Sequence, residues 1–317
     1  MKRNAFALIS VLILVSVLSV IALEFSKRSG IGLRMAVNYA QSRKAYYYAY
    51  GGLQTALKLI KLDTNDYDGP GDYWYSALPP IPLEDGSLMV SIEDEKARYN
   101  IKKLVTSRGT EDERRRAMLG RIFDILAIDT NVIDAIVDWE DSDDVSLPAG
   151  AESAYYGNLT PPYAARNAPV VTAGELLQVR GIDRETFFLP PSARNSFIPE
   201  DIQALNQYIT VYGDGKININ TAEPPVLRCL SEDMDESIVD DIIEHREKNA
   251  FTKTADLKDI ETMSDVLYDE IASLITVKSD IFRITATGAT GEFMETITAV
   301  VVRDSKGVRV VYFNRSL

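Results

Sequence analysis

Lys2-Arg3-Asn4-Ala5-Phe6-Ala7-Leu8-Ile9-Ser10-Val11-Leu12-Ile13-Leu14-Val15-Ser16-Val17-Leu18-Ser19-Val20-Ile21-Ala22-Leu23 decides how this chain is built. Two cationic side chains precede an apolar run from Ala5 to Leu23 that is interrupted only by Ser10, Ser16 and Ser19. The run has about the 20 residues a helix needs to cross a bilayer. It reads either as a cleaved secretory signal, with Val20-Ile21-Ala22 offering small groups to a protease, or as a retained anchor. The residues beyond Leu23 favour retention. No proline occurs between Leu23 and Pro70, and Ile31, Met35, Tyr39, Tyr46, Leu53, Leu57 and Ile60 keep helical spacing. Gly30, Gly32, Gly51 and Gly52 weaken the helix locally. A continuous helix from Phe6 to Leu62 would be about 85 Å long. Basic residues flank the apolar run on both sides (Lys2, Arg3; Lys27, Arg28, Arg34), so charge bias does not set its orientation.

The whole chain has 317 residues, 46% hydrophobic and 26% charged, which excludes wholesale disorder and implies packed units plus an appendage. The net charge of -13 opposes a polyanionic partner. One cysteine, Cys229, and one histidine, His245, rule out an internal disulfide, a Cys-rich zinc site and most imidazole metal sites. Any metal would be held by oxygen. Catalysis has little to build on. His245 lies in the charged helical pattern Glu244-His245-Arg246-Glu247-Lys248, Cys229 sits at an apolar position, and Gly288-Ala289-Thr290-Gly291-Glu292 lacks the Lys of a phosphate loop. We therefore expect no enzyme.

Beyond the first helix, residues 63–82 read as an irregular surface connection rich in Asp, Gly, Pro and Tyr. Leu88–Ile92 and Arg98–Ile101 read as short strands around an acidic turn. Residues 110–211 change to a helical pattern. Strand signals return at Lys216–Asn220, and Ile281–Thr287, Phe293–Asp304 and Val308–Phe313 close the chain as strands. Asp138-Trp139-Glu140-Asp141-Ser142-Asp143-Asp144, with Glu152 beyond it, is the densest acidic cluster. Such carboxylates repel one another unless a cation intervenes, so the run is either a hard-cation site or a solvated helix end. It does not have EF-hand register. Residues 217–257, and again 175–183, resemble helix-hairpin-helix modules, which hold phosphate on a glycine-rich hairpin. Here the hairpin is Ser231-Glu232-Asp233-Met234-Asp235-Glu236, acidic and without glycine, so a scaffold is favoured over a nucleic-acid site.

Several segments together identify a family. Lys2-Arg3-Asn4-Ala5 followed by Phe6-Ala7-Leu8-Ile9 resembles a type IV prepilin leader, although Ala5 stands where that family usually has Gly. The tracts Tyr99-Asn100-Ile101, Asp138-Trp139-Glu140-Asp141, Gly150-Ala151-Glu152, Glu175-Leu176-Leu177 before Gly181-Ile182-Asp183, and Ile217-Asn218-Ile219-Asn220-Thr221-Ala222 are similar to the K-type minor pseudopilins of type II secretion. That resemblance implies an α+β fold: a type IV pilin-like N-terminal helix on an antiparallel sheet, with a large all-helical inserted domain. It implies a leader (1–5), transmembrane (6–23) and periplasmic (24–62) parts of the helix, a first part of the sheet domain (63–109), the helical insertion (110–211), and a helix-hairpin-helix-like segment with the remaining strands (212–317).

By the same resemblance, prepilin peptidase cuts between Ala5 and Phe6. Ser10 occupies the fifth mature position, where most pilins carry a Glu that pairs with the amino terminus of a neighbouring subunit; Ser brings no such charge, as suits a subunit placed first at the fibre tip. The implied partners are I-type and J-type minor pseudopilins, other pseudopilus subunits and the inner-membrane secretion platform, with no nucleic acid. The implied location is a single pass in the inner membrane with the globular part in the periplasm. The K class is associated with calcium, which turns the acidic cluster into a metal expectation at Asp141, Asp143 and Glu152, joined by Asp138 and Asp144; Asp138 is alternatively read as closing its helix. The rival readings are a DNA-binding envelope or competence protein and an exported hydrolase with a cleaved signal.

Overall fold

The computed structural model describes residues 2–76 and 78–316, with side chains from residue 8 onward. The N-terminal helix α1 runs Lys2–Leu62, about 90 Å at 1.5 Å per residue. Residues 8–40 are exposed throughout, so roughly 50 Å of helix stands clear of the rest of the chain. From Leu8 it contains a stretch long and apolar enough to cross a membrane, whether as anchor or as signal. Ser10 lies in this exposed part.

From about residue 41 the helix packs on a sheet. Five strands, β1 (Ile81–Leu83), β2 (Gly86–Asp94), β7 (Ile281–Thr290), β8 (Phe293–Asp304) and β9 (Gly307–Ser316), lie side by side in that order, each antiparallel to its neighbour. Side chains alternate across the sheet, as strand geometry requires. Phe282, Ile284 and Ala286 of β7 and Ile297, Ala299 and Val301 of β8 are buried under α1, which offers Ala49, Leu53, Ala56 and Ile60 in return. Small residues keep the layers close. A side chain at Gly288 would place its Cβ 2.1 Å from the Ala45 carbonyl oxygen, so this crossing admits only glycine.

The helical part lies between β2 and β7. Asp94 ends β2 by accepting a hydrogen bond from the Lys96 N–H (2.7 Å), which turns the chain into a short 3-10 helix. The following strand, β3 (Tyr99–Asn100), therefore leaves the sheet and pairs in parallel with β4 (Ile209–Thr210). Between them come α2 (Glu113–Ile125), α3 (Val132–Glu140), α4 (Ser153–Tyr156), α5 (Arg184–Phe188) and α6 (Leu205–Tyr208). After β4 come β5 (Ile217–Asn218), α7 (Pro224–Arg228), α8 (Glu236–Lys248), α9 (Asp265–Ile271) and β6 (Ile275–Thr276), with β5 and β6 parallel. One continuous core, from Tyr99 through Met118, Phe123, Trp139, Tyr156, Tyr208, Leu227 and Leu257 to Val277, holds this unit together. Its helices are capped by their own sequence: Asp112, Asp235 and Ser264 accept from Arg115, Ile238 and Leu267 N–H groups.

Ile217-Asn218-Ile219-Asn220-Thr221-Ala222 joins the two parts. The isoleucines fill the core while the Asn218 Nδ2 donates to Asp94 (2.9 Å) and to the Asp68 carbonyl (3.0 Å). The Asn220 side chain exchanges two hydrogen bonds with the Phe251 backbone, both 2.9 Å. Each polar group is buried and partnered, so the motif fixes the helical unit against the end of β2.

Candidate metal centre

Asp134, Asp138 and Asp141 recur at i, i+4 and i+7 on α3 and its C-terminal cap, hence on one helix face. Asp134 is spent on structure, pairing with Arg116 and accepting from the Ala149 N–H. One turn on, Asp138 is fully buried. The loop after α3 closes over it, with the Leu147 N–H at 3.1 Å and the Ser146 hydroxyl at 3.1 Å donating to its carboxylate. The loop comes so near that a Cβ at residue 150 would sit 1.9 Å from Asp138 Oδ2, which is why Gly150 stands there. Two residues later Glu152, at the N-cap of α4, turns its carboxylate inward.

Oxygens of Asp138, Asp141 and Glu152 lie within 4.8 Å of one another, and all three residues are buried. Among the described residues neither carboxylate oxygen of Glu152 has a hydrogen-bond partner. No ion pair to any of the three occurs among the described residues. Burial first, and then the neighbouring carboxylates, push Glu152 up to about 7 and Asp141 up to about 6; Asp138 is raised by burial as well. Buried charge of one sign with orphaned acceptors is what a bound cation resolves, and an all-oxygen donor set suits a hard divalent ion.

Asp143 and Asp144 are exposed and stand outside this trio. The Asp143 carboxylate accepts from the Val145 N–H (2.8 Å), and Asp144 accepts from Asn167 Nδ2 (3.3 Å). The Asp144 charge still reaches Asp141 and Glu152. Glu140 was not among the expected residues, yet it is buried, has one orphaned oxygen and is pushed up to about 7 by burial; its other oxygen accepts from the Val170 N–H, away from the trio. The backbone of Ala5 and Phe6, the expected processing pair, belongs to α1, and their side chains lie outside the described ones.

A second acidic group, Asp63, Asp68 and Asp72, also brings its oxygens within 4.8 Å. It differs in carrying its own cation. Arg303 of β8 donates to Asp63 (2.8 Å) and Asp68 (2.6 Å), its guanidinium 4.9 Å from the ring centre of Phe282. Asp72 is occupied by the Gly69 N–H and Asn65. Sequence reading missed this group: its aspartates looked like a solvated loop, and the arginine that collects them is some 240 positions away.

The segments of the helical unit recur elsewhere. Residues 97–188 and 217–278 both match the family described as Type II secretion system (T2SS), protein K. The two matched segments together make up just under half of the chain, and both are similar to protein K of type II secretion. It is 27% identical over 268 residues to the type II secretion system protein K of Pseudomonas aeruginosa, covering 80% of this chain and 75% of that one. Identity to the Aeromonas hydrophila protein K is 28% over 243 residues, 70% and 68% of the two chains. The fold matches a chain in the crystal structure of the GspK-GspI-GspJ complex from the enterotoxigenic Escherichia coli type 2 secretion system, with a TM-score of 0.71 at 17% identity over 90% of this chain and 99% of that one.

Proposed function

We propose that this protein is the minor pseudopilin that starts or caps the type II secretion pseudopilus at its tip. The observation that carries this reading is the shape: a pilin-like helix and sheet bearing a helical unit larger than the sheet itself. Subunits within a thin fibre repeat side by side, and a head of this breadth suits the end position, where nothing stacks above it. The uncharged Ser10 near the start of α1 supports the same placement, since a first subunit has no earlier amino terminus to neutralise.

In this assembly α1 is the anchor, crossing the inner membrane once with the head in the periplasm. Prepilin peptidase removes residues 1–5, leaving Phe6 as the methylated mature terminus. The partners are I-type and J-type minor pseudopilins, which the likeness to the GspK-GspI-GspJ complex supports, together with other pseudopilus subunits and the inner-membrane platform.

Asp138, Asp141 and Glu152 hold calcium, with Asp144 near enough to add charge. Bound there, the ion supplies neutralisation, tying α3, the loop over Asp138 and the start of α4 into one rigid block. The orphaned Glu152 oxygens support the fit. The mature amino terminus, read by mass spectrometry on protein from intact membranes, tests the reading: a methylated Phe6 is expected, and a terminus near Leu23 overturns it. A DNA-binding role is disfavoured by the hairpin before α8, where Asp235 already occupies the Ile238 N–H that would face a phosphate.

A further inference from the structure

Charge is divided unevenly between the rod and the head. Residues 1–62 hold nine Lys and Arg against one carboxylate, Glu24, while residues 63–317 hold the remaining 25 against 46. On the head-bound part of α1, the face opposite Ala45, Ala49, Leu53, Ala56 and Ile60 carries Arg43, Tyr47, Tyr50, Gln54, Lys58 and Lys61. Steps of three or four residues align them in one stripe along the helix. Tyr47 is 60% exposed and Tyr50 42%. The Arg43 guanidinium lies 5.4 Å from the ring centres of both Tyr46 and Tyr47, and Arg315 of β9 lies 4.8 Å from that of Tyr46. Lys44, beside the stripe, is paired with Asp85. Among the described residues no carboxylate forms an ion pair with Arg43, Lys58 or Lys61, although the molecule as a whole carries an excess of carboxylates.

We infer that this stripe is a docking line for a helix of a different pseudopilus subunit that presents carboxylates at matching spacing. The inference rests on the pseudopilin reading above and adds the chemistry of the contact. Exposed tyrosines supply contact area at low entropic cost, and the cations select an acidic partner. A lipid headgroup does not fit: Arg43 lies twenty residues past Leu23, about 30 Å along the helix, against a screening length of about 8 Å. A second copy packed side by side would set cation against cation.

The test uses the full-length chain, tagged and co-expressed with I-type and J-type minor pseudopilins and extracted in detergent. Partner retention is measured at about 50 mM and about 500 mM NaCl. We expect wild-type retention to weaken about tenfold in high salt. The Arg43→Glu/Lys58→Glu variant should bind about tenfold more weakly in low salt and respond little to added salt, while Lys58→Arg behaves as wild type. Melting of the head should be unchanged. Lys58→Glu/Lys61→Glu probes the same stripe clear of the tyrosine stack. Wild-type affinity and salt response in both double variants overturns the stripe and leaves the pseudopilin reading standing; a wild-type chain that retains neither partner overturns both. Self-association of the chain alone that the double variants abolish assigns the stripe to a second copy and also overturns the proposal.

Discussion

Replacing Glu152 by Gln should have opposite effects with and without metal. In the chelated protein, folding raises the Glu152 carboxyl from 4.5 to about 7 through burial and the nearby aspartates. The folded state then binds a proton more tightly than the unfolded one, so stability falls as pH rises. The penalty is absent below about pH 4.5, grows between 4.5 and 7, and is complete above 7. At about 1.4 kcal/mol per pH unit the limit is about 3 kcal/mol, and water reaching the carboxylates reduces it to about 2 kcal/mol. Glu152→Gln removes the charge, so at pH 8 in chelator the variant should melt about 5 °C above wild type, with the two converging near pH 5.

With calcium the order should reverse. A site filled at about a hundred times its dissociation constant stabilises wild type by about 2.7 kcal/mol. The variant, short of one charged ligand, should gain little. Circular dichroism melts of both proteins, with chelator and with calcium, at the two pH values, make the comparison. Wild-type melting that is indifferent to calcium at pH 8, together with a chelated variant no more stable than wild type, would refute both the repulsion and the metal.

The packing sets three further outcomes. Gly288→Ala forces a Cβ onto the Ala45 carbonyl and should lift α1 from the sheet at a cost of about 2–3 kcal/mol, read as a lower urea midpoint. Arg303→Met leaves Asp63 and Asp68 without their counter-charge and should cost about 3–5 kcal/mol; an equal loss in Asp68→Asn/Arg303→Met would show that the charge is not responsible. Asn220→Ala strips the Phe251 N–H and carbonyl of their partners and should cost about 1–3 kcal/mol, with faster amide exchange at Phe251 as its local signature.

The periodic parts of the fold were legible in the sequence. A long helix without proline, and three alternating strands at the end of the chain, are local signals that burial on one face enforces. Of Arg98–Ile101, read as a strand, only Tyr99–Asn100 pair as one and Ile101 opens a 3-10 turn; the pairing itself was not visible, because the chain leaves the sheet at the turn that Asp94 caps. The acidic run marks a segment where buried carboxylates gather. Which carboxylates turn inward was a matter of loop closure over Asp138, which brings in Glu152 and leaves Asp143 and Asp144 outside. The Asp63, Asp68 and Asp72 group was illegible for a different reason: its meaning comes from Arg303, on a strand that only folding delivers.

The helical unit departs from the sheet after Asp94 and rejoins it just before Phe282, and those two residues face each other across adjacent strands. Its entry and exit thus sit at one seam, like a pendant hung from a single ring. A tight two-residue turn joining β2 directly to β7 would leave every strand pairing of the sheet intact. The architecture is therefore modular in a practical sense: the crown can be cut away, exchanged or enlarged without redrawing the stem that carries it.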